Sequence, residues 1–255
     1  MSIVAQLANQ LWFSCILVLL TFIANASDRA SAATISPLVN PGAESGLAPW
    51  VLDDFFTGST LSVQSGPVSI AGVGTVQATE GTNWFAVDTT ASSFGSFFGG
   101  VLEASQTVDV QGLGTLLSIE YGGDSFAMGE ILSGQGVLLM RQVSVLRYRD
   151  AANGFLGDDV FATPNTNITN STAQILSATD TVTPVAGTAF IEVFHSLDIA
   201  AFDASGGTDT PTYRVVGGLD NIIMNIQAVP EPSTMAGLLS LGLSACLWKR
   251  RRRED

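Results

Sequence analysis

Residues 219–226 read LDNIIMNI, which is the clearest of the many short strand patterns in the chain. Ile222, Met224 and Ile226 fall on one side of an extended strand, and the asparagines fall on the other. Because side chains of a β-strand alternate between two faces, this pattern predicts a strand with one buried face. Residues 115–121, TLLSIEY, alternate in a similar way.

Nine further segments have strand-like composition and are separated by clusters of Gly, Asn, Asp, Ser and Pro. They are Ile35–Val39, Thr60–Gln64, Thr75–Ala78, Trp84–Asp88, Ala104–Val110, Gly136–Met140, Val143–Tyr148, Ala173–Leu176 and Thr188–His195. Between the two ends of the chain no window keeps a helical period. Many short strands with frequent turns predict an all-β fold, an antiparallel β-sandwich formed by one domain over residues 34–228.

The charge distribution divides the chain into unlike parts. Only 13% of the 255 residues are charged, and the net charge is −13. Residues 34–229 contain four arginines and nineteen acidic residues, whereas the single lysine, Lys249, lies near the end. An acidic body argues against nucleic acid as a partner, because phosphates attract Lys and Arg. The body also has one histidine and no cysteine, which argues against a zinc site.

The N-terminal end has the pattern of a secretory signal peptide over residues 1–26. Residues 11–23 are uncharged and mostly apolar, a run of signal-peptide length that is short for a membrane span. Ala24 and Ala26 then form a small-x-small cleavage site, so we expect the cut after Ala26. Residues 1–10 lack the usual Lys or Arg, and a buried N-terminal helix is the alternative. Later cleavage is also open, after Ala32 or Ala33.

The C-terminal end, residues 229–255, has three parts in a fixed order. Pro230, Glu231 and Pro232 come first, and the uncharged apolar residues 233–248 follow. As a helix the apolar part would span roughly 24 Å, which suits a single membrane crossing with its end anchored at the headgroups. The anchoring residues would be Trp248, Lys249, Arg250, Arg251, Arg252 and Arg253. The basic run would stay in the cytoplasm, and the body would lie outside.

This tripartite end resembles the PEP-CTERM sorting signal of Gram-negative bacteria. The resemblance rests on Pro230-Glu231-Pro232, the short apolar helix and the arginine cluster at the very end of the chain. It implies that exosortase recognises the protein at the inner membrane and removes the helix. It further implies delivery to the outer surface or extracellular matrix, often alongside exopolysaccharide. A plain single-span anchor is the alternative.

The body resembles carbohydrate-binding-module jelly rolls of the galactose-binding-like type. The matching segments, in order, are residues 38–46 with Trp50, 81–87, 102–108 with 116–121, and 218–222. One departure is Ala43, where the family usually has an aromatic residue. The resemblance also implies a structural Ca²⁺ site, with Glu44 and Asp220 at the matching positions. The alternative is that these two carboxylates face water or cap turns.

Four other groups are candidates for binding or chemistry. Arg147 and Arg149 share a strand face near Arg141 and could bind an anionic polysaccharide, although pairing with nearby carboxylates is the favoured interpretation. Phe94, Phe97 and Phe98 could stack on sugars or pack inward. The loop-like carboxylates are expected to be solvated, at Asp150, Asp158, Asp159, Asp198, Asp203 and Asp209. His195 is expected to be a buried core histidine.

Taken together, these features predict an exported, exosortase-sorted surface or matrix protein without catalytic activity, associated with exopolysaccharide. The first alternative is a carbohydrate-binding module proper. A secreted glycoside hydrolase is the second, since glutamates are available but their spacing selects no catalytic pair.

The sorting assignment makes a direct prediction. Replacing Pro230, Glu231 and Pro232 by Ala is expected to leave the body folded and the apolar tail uncleaved. The measurement is the mass of the chain recovered from the cell, compared with that of the unchanged protein. Processing that continued at the same rate would show that the tripeptide is not the recognition signal.

Overall fold

The computed structural model describes residues 32–53, 60–92, 99–203 and 211–229. Fourteen strands occur within these ranges. They are β1 (Ala33–Ile35), β2 (Val51–Asp53), β3 (Thr60–Ser65), β4 (Val68–Ile70), β5 (Gly74–Val76), β6 (Asn83–Ser92), β7 (Gly99–Asp109), β8 (Thr115–Ser133), β9 (Gly136–Arg149), β10 (Phe155–Ala162), β11 (Thr166–Asn167), β12 (Gln174–Val182), β13 (Phe190–Asp203) and β14 (Thr212–Val229).

The strands form two large sheets and one hairpin. The first sheet has the order β12-β8-β14-β6-β3, with β1 paired to β14. The second has the order β10-β9-β13-β7-β2, with β11 paired to β9, and β4 and β5 form the hairpin. Successive long strands alternate between the sheets, as in a jelly roll, and the predicted antiparallel β-sandwich is confirmed.

The sandwich corresponds to one compact unit of the chain, residues 34–111 and 117–226. A second unit comprises residues 1–33, 112–116 and 227–255, of which the structure describes only 32–33, 112–116 and 227–229. No helix in the described ranges is long and apolar enough to cross a membrane. The residues predicted to form the signal peptide, 1–26, and the C-terminal helix, 233–248, lie outside those ranges.

The main core lies between the two large sheets. Each long strand contributes alternate apolar side chains, including Phe85, Leu102, Met140, Leu197 and Val215, all of them buried. Burying a side chain of this size contributes about 1.5–3 kcal/mol. Since no disulfide is available in a body without cysteine, this burial is the main source of stability.

A smaller core covers the opposite face of the first sheet. The β4–β5 hairpin places Ile70 and Val76 over Trp84 and Phe126, whose ring centroids lie 5.0 Å apart. Gly218 on β14 makes this packing possible, because a Cβ there would lie 2.2 Å from the Trp84 ring. The first sheet is therefore buried on both faces where the hairpin covers it.

Several strands differ from the sequence prediction. Residues 136–140 and 143–148, predicted as two strands, belong to the single strand β9, because no turn residue separates them. The segment around Asp158 and Asp159 was predicted as a solvated loop but forms β10. Asp198 is also on a strand, β13, where it is only 7% exposed. Partners on neighbouring strands satisfy these carboxylates: Asp158 pairs with Arg147, Asp198 with Arg141, and Asp159 accepts a hydrogen bond from the Tyr148 hydroxyl.

A polar layer interrupts the main core at His195, which is fully buried. Its Nδ1 lies 2.8 Å from Ser144 Oγ, and its Nε2 lies 3.3 Å from Ser125 Oγ. Nearby, Gln142 Nε2 on β9 donates to the Ala178 carbonyl on β12, across the sandwich. This layer joins the two sheets by directed bonds and has no access to substrate.

Burial lowers the pKa of His195 from 6.5 to about 4. A depressed histidine pKa means that the unfolded chain binds a proton in this range and the folded chain does not. We therefore expect the free energy of unfolding to fall by about 3 kcal/mol as the pH drops from 6.5 to 4. Denaturant titrations at several pH values measure this decrease in the free energy of unfolding. The variant His195→Gln is expected to lack the decrease. An identical pH profile in the variant would contradict the assignment.

Candidate functional site

Asp220 on β14 fixes the loop that precedes β6. Its Oδ2 accepts hydrogen bonds from the backbone N–H groups of Thr79 and Glu80 at 2.7 and 2.8 Å, and from Thr79 Oγ1 at 3.1 Å. Its Oδ1 accepts from the N–H of Asn221 at 2.8 Å. Burial raises the pKa of the Asp220 carboxyl, and these donors act in the opposite direction.

Glu44 holds the other half of the same loop. Its Oε1 accepts from the N–H groups of Thr82 and Asn83, both at 2.8 Å, and its Oε2 accepts from Thr82 Oγ1 at 3.2 Å. The backbone hydrogen bonds from Asn83 and Thr82 lower the pKa of Glu44. Asp220 and Glu44 thus clamp residues 79–83 from two sides, and we call this arrangement the carboxylate clamp.

The turn at residues 40–46 brings Glu44 to the loop. Asn40 closes the turn, because its Nδ2 donates to the Gly46 carbonyl and its Oδ1 accepts from the Ser45 N–H. The Pro41 carbonyl accepts from the Ile222 N–H on β14. Gly42 is required by space, since a Cβ there would lie 2.8 Å from Asp220 Oδ1. Residues 40–46 are therefore held by side-chain and backbone contacts that fix the position of Glu44.

The oxygen ligands that the clamp could offer do not fit a calcium ion. Ca²⁺ requires six to eight oxygen ligands, whereas the oxygens of Glu44 and Asp220 already accept seven hydrogen bonds from N–H and O–H groups. Within the described ranges, no three His, Cys, Asp or Glu residues gather as metal ligands. Calcium binding at Glu44 and Asp220 stays a prediction that this geometry does not support.

The outer side of the second sheet carries exposed and half-buried side chains from five paired strands. We call it the five-strand face, formed by the outward side chains of β10, β9, β13, β7 and β2. Strand register places Val160, Val145, Phe194, Ser105 and Val51 in one row across it. This row is mostly apolar, and Val160 and Val51 at its two ends are more than 60% exposed.

The arginines on this face are all paired with carboxylates. Arg141 Nη2 lies 3.0 Å from Asp198 Oδ2, and Arg149 Nε lies 3.0 Å from Glu192 Oε1. Arg147 lies between Asp158, at 3.1 Å, and Glu192, at 3.9 Å. The favoured interpretation of the arginine cluster therefore agrees with the structure, and these guanidinium charges are compensated on the surface itself.

A groove on the five-strand face contains an aromatic ring. Phe194 lies in it, and the Arg147 guanidinium carbon lies 5.0 Å from the ring centroid. Pro49, Val51, Ser105 and Thr107 line the groove, whose volume is about 340 Å³. Cation–π contact of this kind contributes about 0.5–1 kcal/mol at exposed sites and fixes the guanidinium over the ring. The groove offers one apolar ring surrounded by hydroxyl, carboxylate and guanidinium groups.

The other sequence candidates lie elsewhere. Trp50 is in the main core, with its indole N–H bonded to the carbonyls of Val39 and Asn40. Trp84 is under the hairpin. Phe94, Phe97 and Phe98 fall outside the described residues, as do the cleavage site at Ala24 and Ala26, the tripeptide at Pro230 and the basic residues from Lys249 onward. Sequence inspection missed Phe194, because it lies in an apolar strand whose faces cannot be told apart without the register.

The clamp predicts how its two carboxylates affect stability. Asp220→Asn is expected to lower the free energy of unfolding by about 3 kcal/mol, because it replaces a buried acceptor facing several N–H donors. The matched change Glu44→Gln, at an exposed carboxylate, is expected to have a much smaller effect. Thermal unfolding measures both, and millimolar CaCl₂ should leave the Tm of the unchanged protein as it was. A Tm that rose with calcium in the unchanged protein, and not in Asp220→Asn, would establish the calcium site.

Comparison with solved structures finds carbohydrate-binding modules at low similarity. The structure of TmCBM61 in complex with beta-1,4-galactotriose is 15% identical, with 74% of this chain and 97% of that chain covered and a TM-score of 0.33. The CBM22-1 xylan-binding domain from Paenibacillus barcinonensis Xyn10C is 13% identical, with 78% and 97% covered and a TM-score of 0.32. No curated protein matches this chain.

One family model matches the end of the chain. Residues 228–253 match the PEP-CTERM protein-sorting motif, as the sequence predicts. The matched segment contains Pro230-Glu231-Pro232, the apolar residues 233–248 and the arginine run to Arg253. It begins at the last two residues of β14, Ala228 and Val229. The chain therefore carries a PEP-CTERM sorting motif, which implies export and a surface or extracellular location in a Gram-negative bacterium.

Proposed function

We propose that this protein is a non-catalytic, exosortase-sorted component of the cell surface or extracellular matrix that binds a neutral polysaccharide. Exosortase is the proposed processing partner, and the membrane holds the C-terminal helix until it is removed. The sorting motif supports the location. The groove around Phe194 is the observation that supports the binding activity.

The chemistry of the groove suits a sugar ring. Carbohydrates present apolar C–H faces and a rim of hydroxyls, and aromatic rings such as Phe194 offer a flat apolar partner. The groups around the ring supply both donors and acceptors: the hydroxyls of Ser105 and Thr107, the Glu192 carboxylate and the Arg147 guanidinium. The row across all five strands could follow an extended chain of sugars.

The charge pattern favours a neutral glycan over an anionic one. Each of Arg141, Arg147 and Arg149 is already paired with a carboxylate of the same face. An anionic polysaccharide would have to break these pairs, and it would approach a body with a net charge of −15. A neutral polysaccharide can bind without breaking these ion pairs, and its affinity should depend only weakly on the salt concentration.

One observation favours the hydrolase alternative. Asp53 lies opposite Glu103 in the strand register, and burial, Asp53 and Asp198 together raise the pKa of Glu103. A carboxyl with a raised pKa beside a second carboxyl is the arrangement that many glycosidases use for acid–base chemistry. However, Asp198 is already bound by Arg141 and by Ser196 Oγ. The binding assay below therefore includes a measurement of newly formed reducing ends.

The groove predicts a specific loss of binding. The full chain in detergent micelles is tested against soluble xylan, mixed-linkage β-glucan, galactan and alginate. Phe194→Ala is expected to weaken binding of the neutral glycans about tenfold, since stacking on one ring contributes on the order of 1.5 kcal/mol. Leu117→Ala, at an exposed apolar residue on β8 of the first sheet, is the control and should bind as the unchanged protein does.

Two results would contradict the proposal. Equal binding by Phe194→Ala and Leu117→Ala would remove the groove as the site, and preference for alginate would remove the neutral ligand class. If the unchanged protein releases reducing ends from a glycan and Glu103→Gln does not, the hydrolase alternative is right.

A further inference from the structure

A second concavity lies on the other side of the sandwich, over the edge of the first sheet. Its volume is about 850 Å³. Asp124 and Phe126 of β8 form part of its lining, Ile175 and Ser177 of β12 form another part, and residues 74–79 form a third. We call it the β12 cleft. Ligand sites for small molecules commonly measure about 300–1,000 Å³, so this cleft is large enough for one.

The cleft exists because the hairpin covers only part of the first sheet. The hairpin packs over Trp84, Phe126 and Val216. At Gly74 it meets the backbone just before β12, where a Cβ would lie 3.2 Å from the Cα of Thr172. Beyond that contact, the outward side chains of β12 have no cover in the described structure, and Ile175 is 57% exposed.

One part of the cleft is held in place by the carboxylate clamp. Thr79 lines the cleft, and its backbone N–H is bound by Asp220. The Thr79 hydroxyl lies 2.6 Å from Asp124 Oδ2 and 3.1 Å from Asp220 Oδ2. A hydroxyl has one proton and can donate to only one of these carboxylates at a time. The lining is therefore fixed before any ligand arrives, which lowers the entropy that binding must lose.

The polar groups of the cleft can still accept and donate hydrogen bonds. Asp124 uses Oδ2 for Thr79, and within the described residues its Oδ1 has no partner. The side chains of Gln77 and Ser177 also make no hydrogen bond to the part of the chain that the structure describes. These groups alternate with apolar Ile175 and Phe126. Such a mixture of acceptors, donors and apolar surface suits a molecule rich in hydroxyl groups.

The charge of the cleft selects the ligand class. Asp124 is the one charged residue among the described lining residues, and no arginine is among them. A phosphate, sulfate or uronate would find a carboxylate and no cation to offset it. A neutral sugar avoids this repulsion, and its hydroxyl protons can be donated to Asp124 Oδ1. The charge of the cleft therefore excludes anionic ligands.

We infer that the β12 cleft is a second binding site for neutral sugar units, so that one molecule can join two polysaccharide chains. This rests on the proposed function for the first site. The cleft and the five-strand face lie on opposite faces of the sandwich, with the main core between them. A single short oligosaccharide therefore cannot occupy both sites at once. Two sites facing away from each other give a matrix protein the valency that cross-linking requires.

The experiment blocks each site separately in the full chain in detergent micelles. Ser177→Trp fills the cleft from an exposed position on β12, and Thr179→Trp, two residues further along the same exposed side, is the matched control. Xylohexaose, cellohexaose and mannohexaose are the probes, and calorimetry measures the stoichiometry. Equal Tm values for the two tryptophan variants establish that both are folded.

The expected stoichiometry is about two sugars per chain for the unchanged protein and Thr179→Trp, and about one for Ser177→Trp. In Phe194→Ala, one of the two sites is expected to bind about tenfold more weakly than in the unchanged protein. Light scattering gives a second readout with soluble mixed-linkage β-glucan, which the unchanged protein should cross-link and Ser177→Trp should not.

The outcomes separate the two sites. If Ser177→Trp binds as many sugars per chain as Thr179→Trp, the cleft is not a binding site. If binding is nevertheless lost in Phe194→Ala, the proposed function still holds. Complete loss in Ser177→Trp with unchanged binding in Phe194→Ala would establish the cleft and overturn the five-strand face. Absence of binding by the unchanged protein to every probe would overturn both.

Discussion

The carboxylate clamp is the constraint on which the arrangement of this molecule depends. Three parts of the chain that are far apart in sequence meet there: the turn around Glu44, the loop 79–83 and Asp220 on the last strand. The loop leads from the β4–β5 hairpin into β6, so its position determines where the hairpin lies over the first sheet. The two carboxylates accept hydrogen bonds from four backbone N–H groups of the loop and so hold its backbone in one conformation.

The two faces of the sandwich use charge in different ways. On the five-strand face, each arginine is paired with a carboxylate on a neighbouring strand, so that the arginine charges are offset. On the other side, carboxylates are placed near each other and are satisfied by hydroxyl and N–H donors. Both arrangements keep a strongly acidic chain compact without metal ligands from cysteine or histidine. They also leave hydroxyls and carboxylates as the main polar groups facing outward.

Some of this structure could be read from the sequence because the signals are local. The alternation in residues 219–226 is local, and the strand there has Ile222, Met224 and Ile226 buried, as expected. The sorting motif is likewise a contiguous pattern. By contrast, β10 was missed, because Asp158 and Asp159 suggest a loop until Arg147 and Tyr148 on the neighbouring strand are seen to pair with them. The grouping of Phe194 with Arg147 depends on register, which one sequence does not specify.

Glu44 and Asp220 show more clearly what the sequence alone does not predict. The resemblance predicts an ion at the two carboxylates, whereas in the structure each carboxylate accepts hydrogen bonds from the backbone of the loop. Residue type alone does not distinguish the two roles, since a carboxylate accepts an N–H group as readily as a cation. The distinction comes from what surrounds the oxygens.

The distribution of reactive side chains has a consequence for how such a protein is kept in place. Its one lysine and both cysteines, at positions 15, 246 and 249, belong to the ends that sorting would remove. What remains has no side-chain amine and no thiol for aldehydes, oxidants or transamidating enzymes to react with. Coupling chemistry that requires a lysine amine or a cysteine thiol of this protein could then not use its side chains.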